Sequence, residues 1–179
     1  MLKSGDLNSR LTRFGTGSGS PPSWPNLGSL WAKLVAPKSA GRESQSSIYA
    51  SGTTFITIRP RAGVLPGQLL KHGADWYLIE DISVTPGEMQ LAARKLAGEP
   101  AQYIPKGGEP YAISAWLAME NMLVGARSEP RQQIDLILPE LVWPFARIGD
   151  LIAMRGRSFR IEGKVEGSDN GTTIRVMVS

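Results

Sequence analysis

Cysteine is absent from the chain, and histidine occurs once, at His72. The first absence rules out a disulfide framework, a thiolate zinc site and a cysteine nucleophile. The second leaves no histidine pair for a metal and a single side chain to act as base in a nucleophilic dyad. No stretch approaches the roughly 18 to 20 consecutive apolar residues of a membrane-spanning helix, and Met1-Leu2-Lys3-Ser4-Gly5-Asp6 leads into no apolar signal core. These features point to a soluble protein made in the cytoplasm, with no membrane partner. Acids are scarce at the start: Asp6 is the only one in the first 42 residues, against Lys3, Arg10, Arg13, Lys33, Lys38 and Arg42. Residues 1–95 hold eleven lysines and arginines against six acids, and 96–179 hold nine against ten. The first half therefore carries the whole excess behind the net charge of +4. Such a basic arm suits phosphate or an acidic protein surface, or serves only to keep the chain solvated.

What is present is mostly a period of two. Thr53 to Pro60 is a β-branched and aromatic run ended by proline, and Leu30 to Val35 is a shorter candidate of the same kind. Gln68-Leu69-Leu70-Lys71 and Trp76 to Ile82 flank His72-Gly73-Ala74-Asp75, a hairpin connection with the required glycine. Met89 to Lys95 suits a helix by propensity and a strand by its place after a turn; we assign a strand. Gly98-Glu99-Pro100 breaks the pattern and divides the chain into domains 1–97 and 98–179. Beyond it come Gln102 to Ile104, Tyr111 to Leu117, Ile134 to Leu138, Leu151 to Met154, Phe159 to Glu162 and Thr172 to Val178, the last after an Asp169-Asn170-Gly171 turn. Residues 15–29, rich in glycine, serine and proline, bury too little apolar surface to offset their ordering entropy and read as a flexible arm. Trp24 stands in it as an anchor.

The halves overlay at an offset of 82 residues. Gly67 falls on Gly149, Leu69 and Leu70 on Leu151 and Ile152, Tyr77 on Phe159, Ile79 on Ile161 and Glu80 on Glu162. Short strands at regular spacing, repeated once, predict an all-β fold of two small antiparallel β-barrels in tandem with a long arm and loops; one larger barrel is the alternative.

Little in the chain can do chemistry. Glu80 and Asp81 are neighbours on a strand, where alternation sends them to opposite faces rather than across one cleft. Gly15-Thr16-Gly17-Ser18-Gly19 lacks the context of a phosphate loop or a nucleophile elbow. We expect no catalytic residue, no metal and no cofactor, hence no enzyme. Trp31, Trp76, Tyr77, Trp116, Trp143 and Phe159 read first as core residues. On a basic barrel, exposed aromatics would instead make a nucleic-acid-binding module.

Four segments in order carry a resemblance. Leu2 to Thr12 is similar to the opening of phage head-tail joining, or head closure, proteins. Leu30-Trp31-Ala32-Lys33-Leu34, with Gly41-Arg42-Glu43 downstream, resembles their tryptophan-bearing strand and the start of a long loop. Phe55 to Val64 resembles their third strand and its glycine-bearing exit, and Gly73 to Ile79 a hairpin. In the second half, Gly149-Asp150-Leu151-Ile152 and Gly156 to Ile161 are similar to small joining proteins of long-tailed phages. The resemblance implies a structural virion protein of the phage neck, made in the host cytoplasm. It would form a sixfold or twelvefold ring with itself, between portal or adaptor proteins above and a tail terminator or tail tube protein below, closing the head on packaged double-stranded DNA. A tail terminator or completion protein of the same neck is the nearest alternative. By the same analogy the 38–52 loop gates DNA, with Arg42, Glu43 and Tyr49 contacting the channel or a neighbour, while Arg13 and Trp24 dock the arm.

Overall fold

The computed structural model describes residues 7–35, 48–50, 52–124 and 127–179. Twelve strands form two units, and no α-helix occurs among the described residues. Residues 7–16, 24–35, 49–50 and 52–97 make the first unit; 17–23, 48, 98–124 and 127–179 make the second.

The first unit contains β1 (Ser9–Phe14), β2 (Asn26–Val35), β3 (Thr54–Ile58), β4 (Leu69–His72), β5 (Asp75–Thr85) and β6 (Glu88–Leu96). They close into an antiparallel barrel in the order β1-β2-β3-β6-β5-β4, with β4 pairing back to β1. Closure leaves no sheet edge, so every strand can satisfy its backbone within the unit. The interior follows from alternation. Leu11, Leu30, Ala32, Ile56, Ile58, Leu70, Tyr77, Ile79, Leu91 and Ala93 point inward into one buried cluster, while the residues between them face out.

The second unit contains β7 (Glu99–Ile104), β8 (Tyr111–Val124), β9 (Arg127–Ile137), β10 (Leu151–Met154), β11 (Arg157–Lys164) and β12 (Thr173–Val178), with a 3-10 turn at Leu138–Glu140. Its six-stranded sheet runs β7-β8-β9-β12-β11-β10, and β10 pairs with β7. Strand for strand, this is the order of the first unit.

The repeat extends to individual hydrogen bonds. Gly67 N–H donates to the Ile79 carbonyl at 2.8 Å, and Gly149 N–H to the Ile161 carbonyl at 2.8 Å. Ile79 N–H returns a bond to the Gln68 carbonyl, and Ile161 N–H to that of Asp150. Each glycine has positive φ, 84° and 92°. Even the β-bulge recurs, between Ile79 and Asp81 and between Ile161 and Gly163.

Two expectations are corrected. Segment 15–29 is not one flexible arm. Gly15 N–H donates to the Pro25 carbonyl, Ser18 and Ser23 exchange backbone bonds, and residues 26–29 belong to β2, paired with β1. Backbone pairing with β1 supplies what side-chain burial could not. In addition, the bulge at Ile79/Asp81 breaks alternation, so Glu80 and Asp81 are both exposed instead of lying on opposite faces.

Because L-residues pay for positive φ, Gly67→Val and Gly149→Val should each lower stability by roughly 1–2 kcal/mol. Urea unfolding followed by tryptophan fluorescence measures this.

Candidate nucleic-acid interface

The closed barrel of the first unit has two chemically different walls. On β5 and β6, cations meet acids: Lys95 Nζ lies 2.7 Å from Asp75 and Arg94 lies 2.7 Å from Glu80. On β1, β2 and β3 there is no acid at all. The outward positions there hold Arg10, Trp31, Lys33, Val35 and Phe55. Register sets them side by side. Arg10 pairs with Trp31, Lys33 with Thr57, and Val35 with Phe55, and directly opposed residues on one face are close enough to act together. Among the described residues, none of Arg10, Lys33, Arg59 and Arg61 is ion-paired.

Trp31 is 58% exposed although Leu30 and Ala32 beside it are buried. Alternation requires this: with Leu30 and Ala32 inward, the indole must stand on the surface. It borders a groove of about 550 Å³ whose other walls include Ser29, Arg59, Pro60 and Arg61. Arg61 donates to the Ser29 carbonyl at 3.1 Å. An exposed indole, two guanidiniums and Lys33 on one acid-free face can hold a polyanion by charge and stack a flat group.

The second unit ties several buried polar groups into internal bonds, while the buried Gln133 Oε1 has no partner among the described residues. The Tyr103 hydroxyl donates to Asp150 Oδ2 at 2.5 Å, and Lys106 N–H donates to Oδ1 at 2.8 Å. Burial, then the bond to Asp150 and its charge, push the Tyr103 phenol far above its usual value. In the first unit, burial first and Asp75 second push the Tyr77 phenol up to about 12. Asp135 accepts two bonds from Arg175, at 2.5 and 3.1 Å, and one from Ile48 N–H at 3.0 Å. These groups are tied into internal bonds. Among the described residues no cluster of His, Cys, Asp and Glu could hold a metal.

Of the residues singled out from sequence, Arg42 and Glu43 lie outside the described residues. Tyr49 bridges to Leu96, and the Arg94 guanidinium stands 5.6 Å over its ring. Arg13 is an inward residue of β1, 8% exposed. Trp24 is half-buried, between Ser23 and the start of β2. His72 is exposed where β4 turns into β5. Trp76, Tyr77 and Phe159 are core residues as expected, whereas Trp31 and Trp143 are surface residues. Sequence reasoning missed the shared face of Arg10, Trp31 and Lys33. Its signal was the Leu30-Trp31-Ala32-Lys33 alternation read together with the absence of acids.

Removing one partner of a buried hydrogen-bonded pair costs more than the bond itself. Tyr103→Phe should therefore destabilise the protein by about 1–3 kcal/mol, read as a lower urea midpoint with unchanged slope. No protein-family model, curated protein or solved structure matches this chain.

Proposed function

We propose that the protein is a structural component of a tailed-phage neck, a head closure protein that joins head to tail and holds packaged DNA through sequence-independent contacts. The observation that carries this reading is the acid-free wall of β1, β2 and β3, with Trp31, Lys33 and Arg59 on its surface. Segments resembling head closure proteins fall on this same barrel: Leu30 to Leu34 on β2, Phe55 to Val64 on β3 and its exit, and Gly73 to Ile79 on the β4–β5 hairpin. The domains are 1–97, head-closure-like, and 98–179, which we read as a second small barrel because its strand order repeats the first.

Ring formation fits a further feature. Beyond Ala115, β8 pairs only with β9 among the described residues, and β9 reaches the other sheet neighbour, β12, only from Gln132 onward. The β8–β9 hairpin thus extends past the sheet with unpaired backbone on both sides. Such edges accept a strand from a neighbouring copy or from a portal, adaptor or tail protein, and a heterologous contact of this kind forms a ring where its rotation closes. The 38–52 loop, with Arg42 and Glu43, is assigned to the channel on the resemblance alone. The exposed Trp31 favours a second reading, a basic nucleic-acid-binding module acting outside the particle.

Electron microscopy of purified virions, with the protein located by labelled antibody, separates the two. Density in a ring between portal and tail is the expected result. A protein missing from particles but bound to nucleic acid in infected cells would contradict the neck assignment and leave the binding module.

A further inference from the structure

Strand pairing in the first unit sets one aromatic ring between cations. Trp31 on β2 pairs with Arg10 on β1, and directly opposed residues are close enough for their side chains to meet. On the other side, Ala32 pairs with Ile58, the last residue of β3. The antiparallel register therefore brings the next residue, Arg59, to the level of Trp31. Arg10, Trp31 and Arg59 are all exposed. The groove that Trp31 borders is also lined by Arg59, Pro60 and Arg61, so the indole and the two guanidiniums open onto the same space.

The groove's volume, about 550 Å³, lies within the roughly 300–1,000 Å³ of small-molecule sites. Leu7, Leu30 and Ile58 give it an apolar lining. Arg61 is held in place by the bond from its Nη1 to the Ser29 carbonyl at 3.1 Å. A guanidinium carries five N–H donors, so this bond orients Arg61 and leaves donors for a ligand. Arg59 makes no ion pair among the described residues. Neither β1, β2 and β3 nor residues 59–68 contain an Asp or Glu to compete for these cations. The second unit has the same connection without the charge. The repeat that aligns Gly67 with Gly149 puts Leu141, Val142 and Trp143 where the first unit has Arg59, Pro60 and Arg61.

An indole face attracts a flat π-surface, and guanidiniums beside it attract a phosphate; a nucleotide joins both groups in one unit. Inside a duplex, each base is covered on both faces by its neighbours, and exposing one costs unstacking energy. A ring standing in a groove therefore meets a free base face only where a strand is single or at an end. We propose that the groove beside Trp31 takes one unpaired nucleotide of a DNA strand, with the base stacked on the indole and the phosphate held by Arg59 and Arg61. Among the described residues, Ser29 is the only uncharged polar side chain in the lining, so the site tolerates any base. The inference deepens the reading of the β1, β2 and β3 wall as a nucleic-acid face and rests on it. The wall contacts phosphates along the DNA, and the groove singles out an end or a melted stretch.

Fluorescence anisotropy of dye-labelled DNA titrated with the full-length protein tests the proposal. The probes, of equal length, are a thymidine strand, an abasic strand with the same phosphates and no bases, and a blunt duplex. The thymidine strand should bind roughly ten- to a hundredfold more tightly than the abasic strand. Trp31→Ala should remove that difference, and Trp31→Phe should keep most of it. Arg59→Met and Arg61→Met should weaken binding of both strands by the same factor, since each removes a phosphate contact. Trp31, Arg59 and Arg61 are exposed, so these variants leave the core intact. Equal affinity of the wild type for thymidine and abasic strands, or a difference that survives in Trp31→Ala, overturns the site. Unchanged affinity in both arginine variants overturns it as well. Duplex binding that falls steeply with salt would then leave the charged wall standing, whereas no binding of any probe at low salt overturns the site and the wall together.

Discussion

The hydrogen bonds from Gly67 to Ile79 and from Gly149 to Ile161 are the constraint around which each unit is organised. Each needs a backbone with positive φ, which glycine adopts without steric penalty. Each fixes where the connection enters its short strand, β4 or β10, and so which face of that strand is buried. A slip of one residue would turn Leu70 or Ile152 outward and break the core. The turn also delivers the next residue, Gln68 or Asp150, into the interior. In the second unit that residue accepts the bond from the Tyr103 hydroxyl.

Two copies of one plan have diverged in charge. The second unit bonds several buried groups internally, the Tyr103 hydroxyl to Asp150 and Arg175 to Asp135. Among the described residues, the first keeps the cations of β1, β2 and β3 out of ion pairs and sets its acids on β5, with Glu88 on β6. Unpaired surface charge adds little to folding, since even paired surface charges contribute at most about 1 kcal/mol. A concentrated field of one sign instead attracts a polyanion from a distance. In the proposed function, the first unit would face nucleic acid and the long β8–β9 hairpin would give the second unit a means of assembly.

Most of the strands were legible because alternation is a local property. Thr54 to Ile58 alternates buried and outward residues along its length. Propensity left Met89 to Lys95 open between helix and strand, and the turn at Gly87 indicated the strand that pairs with both β3 and β5. The offset of 82 residues was visible from six matched positions, and the shared bulge and turn bonds lay beneath it. Three features were not legible. Asn26 to Ser29 reads as loop by composition, and only its pairing with β1 makes it strand. The length of the β8–β9 hairpin depends on cross-strand register from Ala115↔Leu136 out to Val124↔Arg127, which no local pattern encodes. The burial of Arg13 depends on its neighbour Leu70, 57 residues away along the chain, and on the direction of β1. Residue type alone makes an arginine a surface residue.

The most direct test of the central claim, that the wall of β1, β2 and β3 is an electrostatic nucleic-acid face, is the salt dependence of duplex DNA binding by the full-length protein. The logarithm of the binding constant should fall linearly with the logarithm of salt concentration, and Lys33→Glu and Arg59→Glu should each reduce the slope by about one. A slope unchanged by both substitutions, or the absence of binding at low salt, would contradict the account.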